Sequence, residues 1–298
     1  MFAIYKKELK QYFHSMIGFV FLAFFIAIIS IYTWANNFYG KAGNFETTLS
    51  SSTFLFVLLI PILTMRVLAE EKHQKTDQLL YTAPISIGRV IIGKYLALIS
   101  LFGMGILFIG LYPLILKHYG STGVQLAPAY SALLGFFLLG AAYIAVGTFI
   151  SSLTESQPIA AVVSFLVLLM SVLISNIAGA LPSDKLSQAA ILAVLWIIVA
   201  AVAYYMMRNL TVTIILGVLG EAAIWIIYAV KSSLYEGIVS NILNCAALSS
   251  KFSDFTLGVL KYDVIVYYAS VAFLFVFLTI QSIKTVSYTH LRAHETCA

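Results

Sequence analysis

The side chains that could do chemistry are concentrated in residues 66–89, which read RVLAEEKHQKTDQLLYTAPISIGR. This stretch, which we call the charged loop, lies between two long apolar runs of a chain in which only 10% of the residues are charged. Its adjacent glutamates, Glu70 and Glu71, could serve an enzyme, whereas its short apolar run LLY could serve recognition by another protein. The rest of the sequence favours recognition.

An enzyme is disfavoured because the partners that catalysis needs are missing. The paired glutamates resemble those of intramembrane prenyl-protein proteases, but such enzymes also need histidines inside later spans. Here the later histidines, His118, His290 and His294, lie at a span edge or in the C-terminal tail. The chain has no GxxxxGK[ST], HExxH or GxSxG motif, and its two cysteines lack metal-ligand spacing. We therefore assign no catalytic residue and no metal site, and keep an intramembrane enzyme as an alternative.

The composition places the chain in a bilayer. Hydrophobic residues make up 61% of its 298 residues and its mean hydropathy is +0.99, so it has too little polar surface for a water-soluble globule. The net charge of +5 comes from Lys and Arg residues at the ends of apolar runs rather than in a stripe. This distribution indicates membrane topology and no nucleic-acid partner.

Apolar windows near the length of about 20 residues that spans a bilayer predict an all-α, polytopic helix bundle with about eight spans. The windows are 16–35, 50–68, 90–115, 128–152, 158–180, 188–207, 210–230 and 263–283. The sixth and seventh lie close together, and the count becomes six if neither spans. Lys and Arg residues favour both termini in the cytoplasm, by ten against six, which makes the charged loop cytoplasmic.

The first 14 residues predict a helix in the membrane interface. One arc of the helix is apolar, and Lys6, Lys7, Glu8, Lys10 and Gln11 fall outside it. The arc consists of Phe2, Tyr5, Leu9, Tyr12, Phe13 and Met16. A cytosolic helix packed on a partner is the alternative.

The C-terminal residues lose the apolar periodicity of the preceding span. From Ser287 onward the sequence resembles a translated sequencing adaptor, so we expect residues 287–298 to be a non-native tail. His290, His294 and Cys297 are then no metal cluster. Residues 1–283 predict a single transmembrane domain.

Within the charged loop, the second span is expected to continue as a helix through LAEEKHQK. Thr76 can then cap a short helix at about residues 77–83, with Asp77 in its first turn and Pro84 after its end. This helix would project an apolar knob into the cytoplasm, formed by Leu79, Leu80 and Tyr81. Such a knob indicates a docking element for another protein, and a loop lying on the lipid headgroups is the alternative.

The run LLIPILTMRVLAEEKHQKTDQLLYTAPIS, followed by IIGKYLA, resembles the second span, coupling helix and third-span entry of type-2 ABC transporter permeases. The branch it resembles is that of the gliding-motility and copper-processing exporters. IYKKELKQYFHSMIGFVFLAFF resembles that branch's interfacial helix and first span, and ISSLTESQPIAAVVSF its fourth-to-fifth turn. FSDFTLGVLKYDVIVYYASVAFLFVFLTIQS resembles its final external segment and last span. The four motifs occur in the family's order and cover most of residues 1–283.

The resemblance implies a permease subunit of a bacterial cytoplasmic membrane, coupled to a separate ABC ATP-binding subunit that holds ATP and Mg, and paired with a second permease chain. The coupling surface would comprise Glu70, Glu71, Thr76, Leu79, Leu80, Thr82 and Pro84, with the intervening Asp77, Gln78 and Tyr81. The family often has Gly where Lys75 stands and Glu where Gln78 stands. These departures concern the turn of the loop and one acidic contact.

The external segment, residues 231–262, carries a second set of implied site residues at its end and beyond it. Phe252, Phe255, Gly258, Asp263, Tyr267 and Tyr268 fit the family's external motif and are assigned to an external gate. The sequence also predicts an amphipathic helix over residues 233–248, with Leu234, Ile238, Ile242 and Cys245 on its apolar face. We expect this helix to cap the exit of the pathway, and a passive interfacial helix is the alternative.

Glu221 lies near the middle of the seventh window, in LGVLGEAAIWII. A central acidic residue costs roughly 2.5 to 3.5 kcal/mol on insertion scales, which about six central leucines offset. Glu221 therefore has two open interpretations, a packed or protonated side chain and a residue on a substrate or ion pathway. A membrane scaffold that docks an ATPase without transport is a further alternative for the whole chain, and no substrate pocket can be identified from the sequence.

Overall fold

The computed structural model describes residues 2–40, 43–76, 86–119, 124–182, 184–207 and 210–296, with the side chains of residues 175, 198–216, 233, 234, 246 and 286–296 excepted. Within these ranges the secondary structure is helical and no strand occurs, which confirms the predicted all-α class. Contacts divide the chain into two compact units, Met1–Met170 with Lys251–Ala298, and Ser171–Ser250. The single domain predicted for residues 1–283 stays a prediction.

The first unit begins with α1 at Phe2–His14 and α2 at Ile17–Thr33, which a π-helix extends over Trp34–Tyr39. Short helices α3, α4 and α5 occupy Phe45–Ser52, Leu55–Thr64 and Ala69–His73. Helices α6, α7, α8 and α9 follow at Ile87–Ile109, Tyr112–Tyr119, Leu126–Leu153 and Gln157–Ala180, and α9 continues into the second unit. After the second unit come α13 at Phe252–Thr256 and α14 at Tyr262–Thr296.

Five of the described helices are long and apolar enough to cross a membrane, and a sixth span exists if a bent pair counts as one. The five are Ile17–Tyr39, Ile87–Tyr119, Leu126–Leu153, Gln157–Ala180 and Tyr262–Thr285. The pair Phe45–Ser52 and Leu55–His73 bends by 56° at the intervening Thr53 and Phe54. The predicted sixth and seventh spans correspond to α10 at Lys185–Met207 and α11 at Leu210–Val230. The total of eight spans stays a prediction.

The core of the first unit surrounds α8, whose small residues allow neighbouring helices to approach closely. Phe56 and Phe136 pack with ring centroids 4.3 Å apart, and Phe102 lies against both Phe56 and Gly140. A methyl group at Gly140 would collide with the Phe102 ring, as one at Gly147 would with Thr64. The small residues of GFFLLGAAYIAVGTF thus serve close helix packing.

The second unit is held together by α10, α11 and the segment that follows them. Asp184 accepts a hydrogen bond from the Ser187 backbone N–H at 3.1 Å, which caps α10 and holds the pKa of the Asp184 carboxyl below its usual value. Fully buried Gln188 donates to the Pro182 carbonyl at 2.7 Å and accepts from the Val239 N–H at 2.9 Å. Tyr235 donates its hydroxyl to the Ile224 carbonyl at 2.7 Å. These bonds fix helix α12, Ile238–Ala246, to the pair of long helices.

The amphipathic helix predicted over residues 233–248 is shorter in the structure. Gly237 adopts a left-handed conformation, with φ 71°, between a 3-10 turn at Ser232–Tyr235 and α12. This turn breaks the expected helix, because a left-handed residue cannot continue a right-handed ladder of hydrogen bonds. Val239 is buried, whereas Ile242 and Cys245, two residues of the predicted apolar face, are exposed.

Candidate functional site

The charged loop leaves the second span through an interrupted helix. Helix α4 ends at Thr64, and a turn at residues 65–68 separates it from α5, which ends at His73. The continuous helix predicted through Lys75 is therefore wrong in two respects. The turn at residues 65–68 interrupts it, and it ends before Lys75, which is left-handed, with φ 55°. A left-handed residue terminates a helix and is most often Gly.

A buried ionic cluster, which we call the Lys94 triad, joins the two stems of the charged loop. The Lys94 ammonium on α6 lies 2.7 Å from Glu71 Oε1 on α5 and 3.1 Å from Glu8 Oε1 on α1. It also donates to the Val67 carbonyl at 3.3 Å, so all three N–H groups of the ammonium have acceptors. The Lys94 side chain is 3% exposed, which makes these bonds insensitive to screening by salt.

Glu8 shows where the predicted interfacial helix was misjudged. The sequence places Glu8 among the polar residues outside the apolar arc of α1. In the structure it is buried and faces Lys94. The helix itself is confirmed at Phe2–His14. Tyr12 lies on the same side, and burial together with the negative charge of Glu8 raises the pKa of its hydroxyl, which stays neutral as a result. The location of α1 at the membrane interface stays a prediction.

The other glutamate of the loop, Glu70, forms an ion pair within its own segment. Arg66, in the turn before α5, donates two hydrogen bonds to Glu70 four residues later, at 2.7 and 2.6 Å. Both carboxylates of the sequence pair are therefore occupied, Glu70 by Arg66 and Glu71 by Lys94. A cavity of about 250 Å³ lies beside them and is lined by residues of α1, the loop stem and α6, including Gln11, Gln74 and Thr76.

The end of α8 supplies the hydrogen bonds that the interrupted helix lacks. The Ser151 hydroxyl oxygen accepts from the backbone N–H groups of Leu68 and Ala69, both at 3.2 Å, and the hydroxyl donates to the Met65 carbonyl at 3.2 Å. Ser151 thus acts as an N-cap for α5 from another helix, because the first N–H groups of a helix have no partner within it. Lys72 in turn donates to the Ser152 carbonyl at the C-terminus of α8.

The fourth-to-fifth turn lies at the same end of the first unit. A surface pocket of about 280 Å³ is lined by His73 together with Glu155, Ser156, Gln157 and Pro158. Three of the four motifs that carry the resemblance therefore converge on the stem of the charged loop: the opening helix, the loop itself and the turn in LTESQP. The sequence indicated each motif separately, and the contacts among them come from the structure.

The external-motif residues lie along the opposite, N-terminal part of α8. Phe255 and Phe252 are buried, against Gly135 and the Phe136 ring, whose centroid is 6.0 Å from that of Phe252. Gly258 adopts φ 75° in the turn that follows α13, and a Cβ there would lie 3.0 Å from Pro128. Their packing roles are therefore clear, while the gate assignment stays a prediction.

Two tyrosines and an aspartate complete the external set. Tyr268 is buried, Tyr267 is half-buried with its ring centroid 5.5 Å from that of Tyr268, and Asp263 is exposed in the first turn of α14. An ion pair of 3.0 Å between Asp254 and Lys261 closes the turn before α14. Six residues implied by the resemblance thus divide into a buried aromatic group and an exposed turn.

Glu221 belongs to the second unit and is half-buried on α11. Its Oε1 atom is buried without a hydrogen-bond partner among the described residues. The packed interpretation and the pathway interpretation of Glu221 both stay open to experiment.

The predicted docking helix lies outside the described residues, which stop at Thr76 and resume at Ser86. This applies to Asp77, Gln78, Leu79, Leu80, Tyr81, Thr82 and Pro84. Of the predicted coupling residues, the structure places Glu70, Glu71 and Thr76, and Thr76 is exposed with its hydroxyl 3.4 Å from the Glu71 carbonyl.

The residues that organise the stem were missed in the sequence. Lys94 counted only toward topology, although a lysine inside the apolar window 90–115 requires a buried partner and so was a usable signal. Glu8 is the one acidic residue of an opening helix with three lysines, which is a weaker signal. Ser151 and Ser152 have no signal in the sequence, because serines are common in apolar helices.

Comparison with known proteins identifies a family. The family profile described as ABC-2 family transporter protein matches residues 31–280. That range contains the charged loop, the fourth-to-fifth turn and the external segment. It also contains the predicted spans from the second span to all but the end of the last one. A search of curated proteins finds no match to the chain.

Proposed function

The chain belongs to the ABC-2 family of transporter proteins, and from this premise we propose that it is the permease subunit of an exporter driven by a separate ATP-binding subunit. As a member of this family with several apolar helices, it is a multi-pass membrane protein. We place it in the bacterial cytoplasmic membrane. A second permease chain, identical or similar, would complete the transporter.

ATP and Mg are assigned to the partner subunit, because this sequence contains no GxxxxGK[ST] phosphate loop. The partner would dock on the charged loop, where Leu79, Leu80 and Tyr81 form an apolar group among charged residues. An exposed apolar group on a rigid support is a surface that another protein can cover. The described stem supplies such a support on both sides of the group.

The Lys94 triad is the observation that carries the proposed coupling. Closure of the ATP-binding subunits on ATP would push on the loop, and the push would reach α5 and α6 together because Lys94 bridges them. Glu8 adds α1 to the same rigid body. A loop whose two stems were free of each other would absorb the same displacement by bending.

Helix α8 can carry the motion further. Ser151 and Ser152 hold the loop stem at one end of α8, and Gly135 and Pro128 contact the external motif toward the other end. The distance along the helix from Pro128 to Ser151 is about 35 Å at 1.5 Å per residue. Rigid-body displacement of one such helix against its neighbours is an established form of conformational switching.

The ion pairs also bear on the enzyme alternative. A carboxylate that acts on a substrate must be free to accept or deliver a proton, whereas Glu70 is bonded to Arg66 and Glu71 to Lys94. The geometry therefore favours a structural role for both glutamates. The scaffold alternative differs from the permease in one respect, which is whether ATP hydrolysis moves the membrane helices.

Docking can be tested by purifying the full chain in mild detergent from its native membrane and identifying bound proteins by mass spectrometry. We expect a soluble subunit with a phosphate-binding loop, and we expect Leu79→Asp/Leu80→Asp to abolish its recovery. Leu257→Asp is the matched control, since Leu257 is 76% exposed in the external segment.

An ATP-binding subunit that is recovered with the wild type and the control, but not with the loop variant, supports the proposal. Recovery of the chain alone, under conditions that keep other membrane complexes intact, contradicts it. So does equal recovery of the subunit with all three proteins.

A further inference from the structure

Helix α1 turns a basic face away from the rest of the protein. Its opposite side is bonded to α6, by the Tyr5 hydroxyl to Ser100 at 3.0 Å and by Glu8 to Lys94 at 3.1 Å. At 100° per residue, Lys6, Lys7 and Lys10 fall within an arc of about 100° on the far side of the helix. All three lysines are exposed.

Among the described residues, these lysines have little charge opposite them. Lys6 and Lys10 form no ion pair there, and Lys7 has one long contact of 4.0 Å with Glu8. Glu8 already forms a shorter ion pair with Lys94, at 3.1 Å. The outer face of α1 therefore presents a positive surface that lacks a counter-charge within the part of the chain that the structure describes.

The basic face borders side chains suited to lipid. Met16, at the left-handed corner between α1 and α2, is 71% exposed, and Phe19 in the first turn of the α2 span is 55% exposed. Phe13 packs edge-on against Phe19 with ring centroids 5.2 Å apart. At the other end of α1, Phe2 is 75% exposed. The lysines consequently lie about two to three helical turns before the start of the α2 span.

We propose that Lys6, Lys7 and Lys10 form a binding site for the phosphate groups of anionic phospholipids. Lysine ammoniums at headgroup level bind such lipids by charge attraction, while adjacent apolar side chains enter the acyl region. The exposed Phe2, Met16 and Phe19 favour lipid over a soluble protein partner, because lipid covers them without any further interface. The site anchors α1, and with it Glu8 of the Lys94 triad, to the membrane surface.

The test is a titration of the full chain, purified and delipidated in mild detergent, with phosphatidylglycerol and separately with phosphatidylcholine, followed by native mass spectrometry. In Lys6→Gln/Lys10→Gln we expect the dissociation constant of the first bound phosphatidylglycerol to rise by about 25-fold, since each of the two lysines near a lipid surface contributes about fivefold. Phosphatidylcholine binding should not change. Lys6→Arg/Lys10→Arg should keep the wild-type preference, because it keeps both charges.

The matched control is Lys117→Gln/Lys231→Gln, which removes two exposed lysines at the ends of α7 and α11. Its affinity for phosphatidylglycerol should equal that of the wild type. Unchanged affinity in Lys6→Gln/Lys10→Gln overturns the proposal, as does an equal loss in the control variant. Either result would leave the basic face available to a protein partner.

Discussion

The Lys94 ammonium lies 2.7 Å from Glu71 Oε1, and this ion pair joins the helix that enters the charged loop to the helix that leaves it. The two residues are 23 positions apart in sequence. With Glu8 as a second carboxylate, the ammonium ties three helices at the end of the molecule where three family motifs meet. The predictions below separate the contribution of this cluster to stability from its contribution to coupling.

Lys94→Met should lower the free energy of unfolding by about 3–5 kcal/mol, because it leaves the buried Glu8 and the half-buried Glu71 carboxylates without their cation. The measurement is thermal unfolding of the purified chain in mild detergent. Lys117→Met, at an exposed position, should change stability by no more than about 0.5 kcal/mol. Equal unfolding midpoints for Lys94→Met and the wild type would show that the triad does not contribute to stability.

Replacing the whole triad should restore what the single change removes. In Glu8→Leu/Glu71→Leu/Lys94→Met no buried charge is left unpaired, and replacement of buried ion pairs by apolar residues is often neutral or stabilising. We expect the unfolding midpoint to return close to that of the wild type in the same assay. A triple variant as unstable as Lys94→Met would indicate that the loss arises from packing rather than from unpaired charge.

Ser151→Ala should destabilise the N-terminal end of α5. The substitution removes the acceptor of the Leu68 and Ala69 N–H groups, and an unsatisfied buried donor costs about 1–3 kcal/mol. Hydrogen exchange at these two amides should become faster. Ser152→Ala is the matched control, since Ser152 contributes its backbone carbonyl to Lys72 and its hydroxyl bonds locally to the Phe149 carbonyl. Equal exchange rates in both variants would contradict the capping role.

Lys75→Gly should stabilise the protein by about 0.5–1 kcal/mol, because glycine adopts the left-handed conformation at Lys75 without steric strain. Gln74→Gly tests the same substitution at a right-handed neighbour, with φ −82°, and should be destabilising by a similar amount. Thermal unfolding of the two variants gives the comparison. A loss of stability in both would mean that position 75 gains nothing from glycine.

Gly147→Ala should destabilise the first unit by about 1–3 kcal/mol, because the added methyl group collides with the Thr64 side chain between two packed helices. Gly179→Ala provides the control, since no atom lies within 4 Å of a Cβ at that position. There the change should be neutral or stabilising, as alanine is the better helix former. Unfolding midpoints that shift equally in the two variants would argue against close packing at Gly147.

The sequence was sufficient for the features that depend on long patterns. Apolar windows predicted the helical bundle, because this signal recurs over many residues. Local breaks were missed: Lys75 and Gly237 are left-handed, and each interrupts a helix that the sequence predicts to be longer. A single backbone angle decides such a break, and the periodicity of the side chains does not report it.

The site was predicted only in part, for a related reason. Glu71 was identified as functional from the resemblance, but its partner Lys94 was counted as a topology signal, and Glu8 was placed outside the apolar arc of α1 without its burial against Lys94 being foreseen. Pairing between residues 86 positions apart depends on how the helices pack in three dimensions. A charged residue within an apolar window, such as Lys94, is the kind of signal that should prompt a search for a buried counter-charge.

Coupling between the charged loop and the membrane helices is the central claim, and ATP hydrolysis by the reconstituted complex tests it most directly. Wild type and Glu8→Leu/Glu71→Leu/Lys94→Met should each bind the ATP-binding subunit in the same amount, because the apolar group proposed to dock it, Leu79, Leu80 and Tyr81, is unchanged. We predict that the triple variant lowers the rate of ATP hydrolysis to that of the isolated subunit. An unchanged, permease-dependent rate in the variant, with the subunit still bound, would contradict the account.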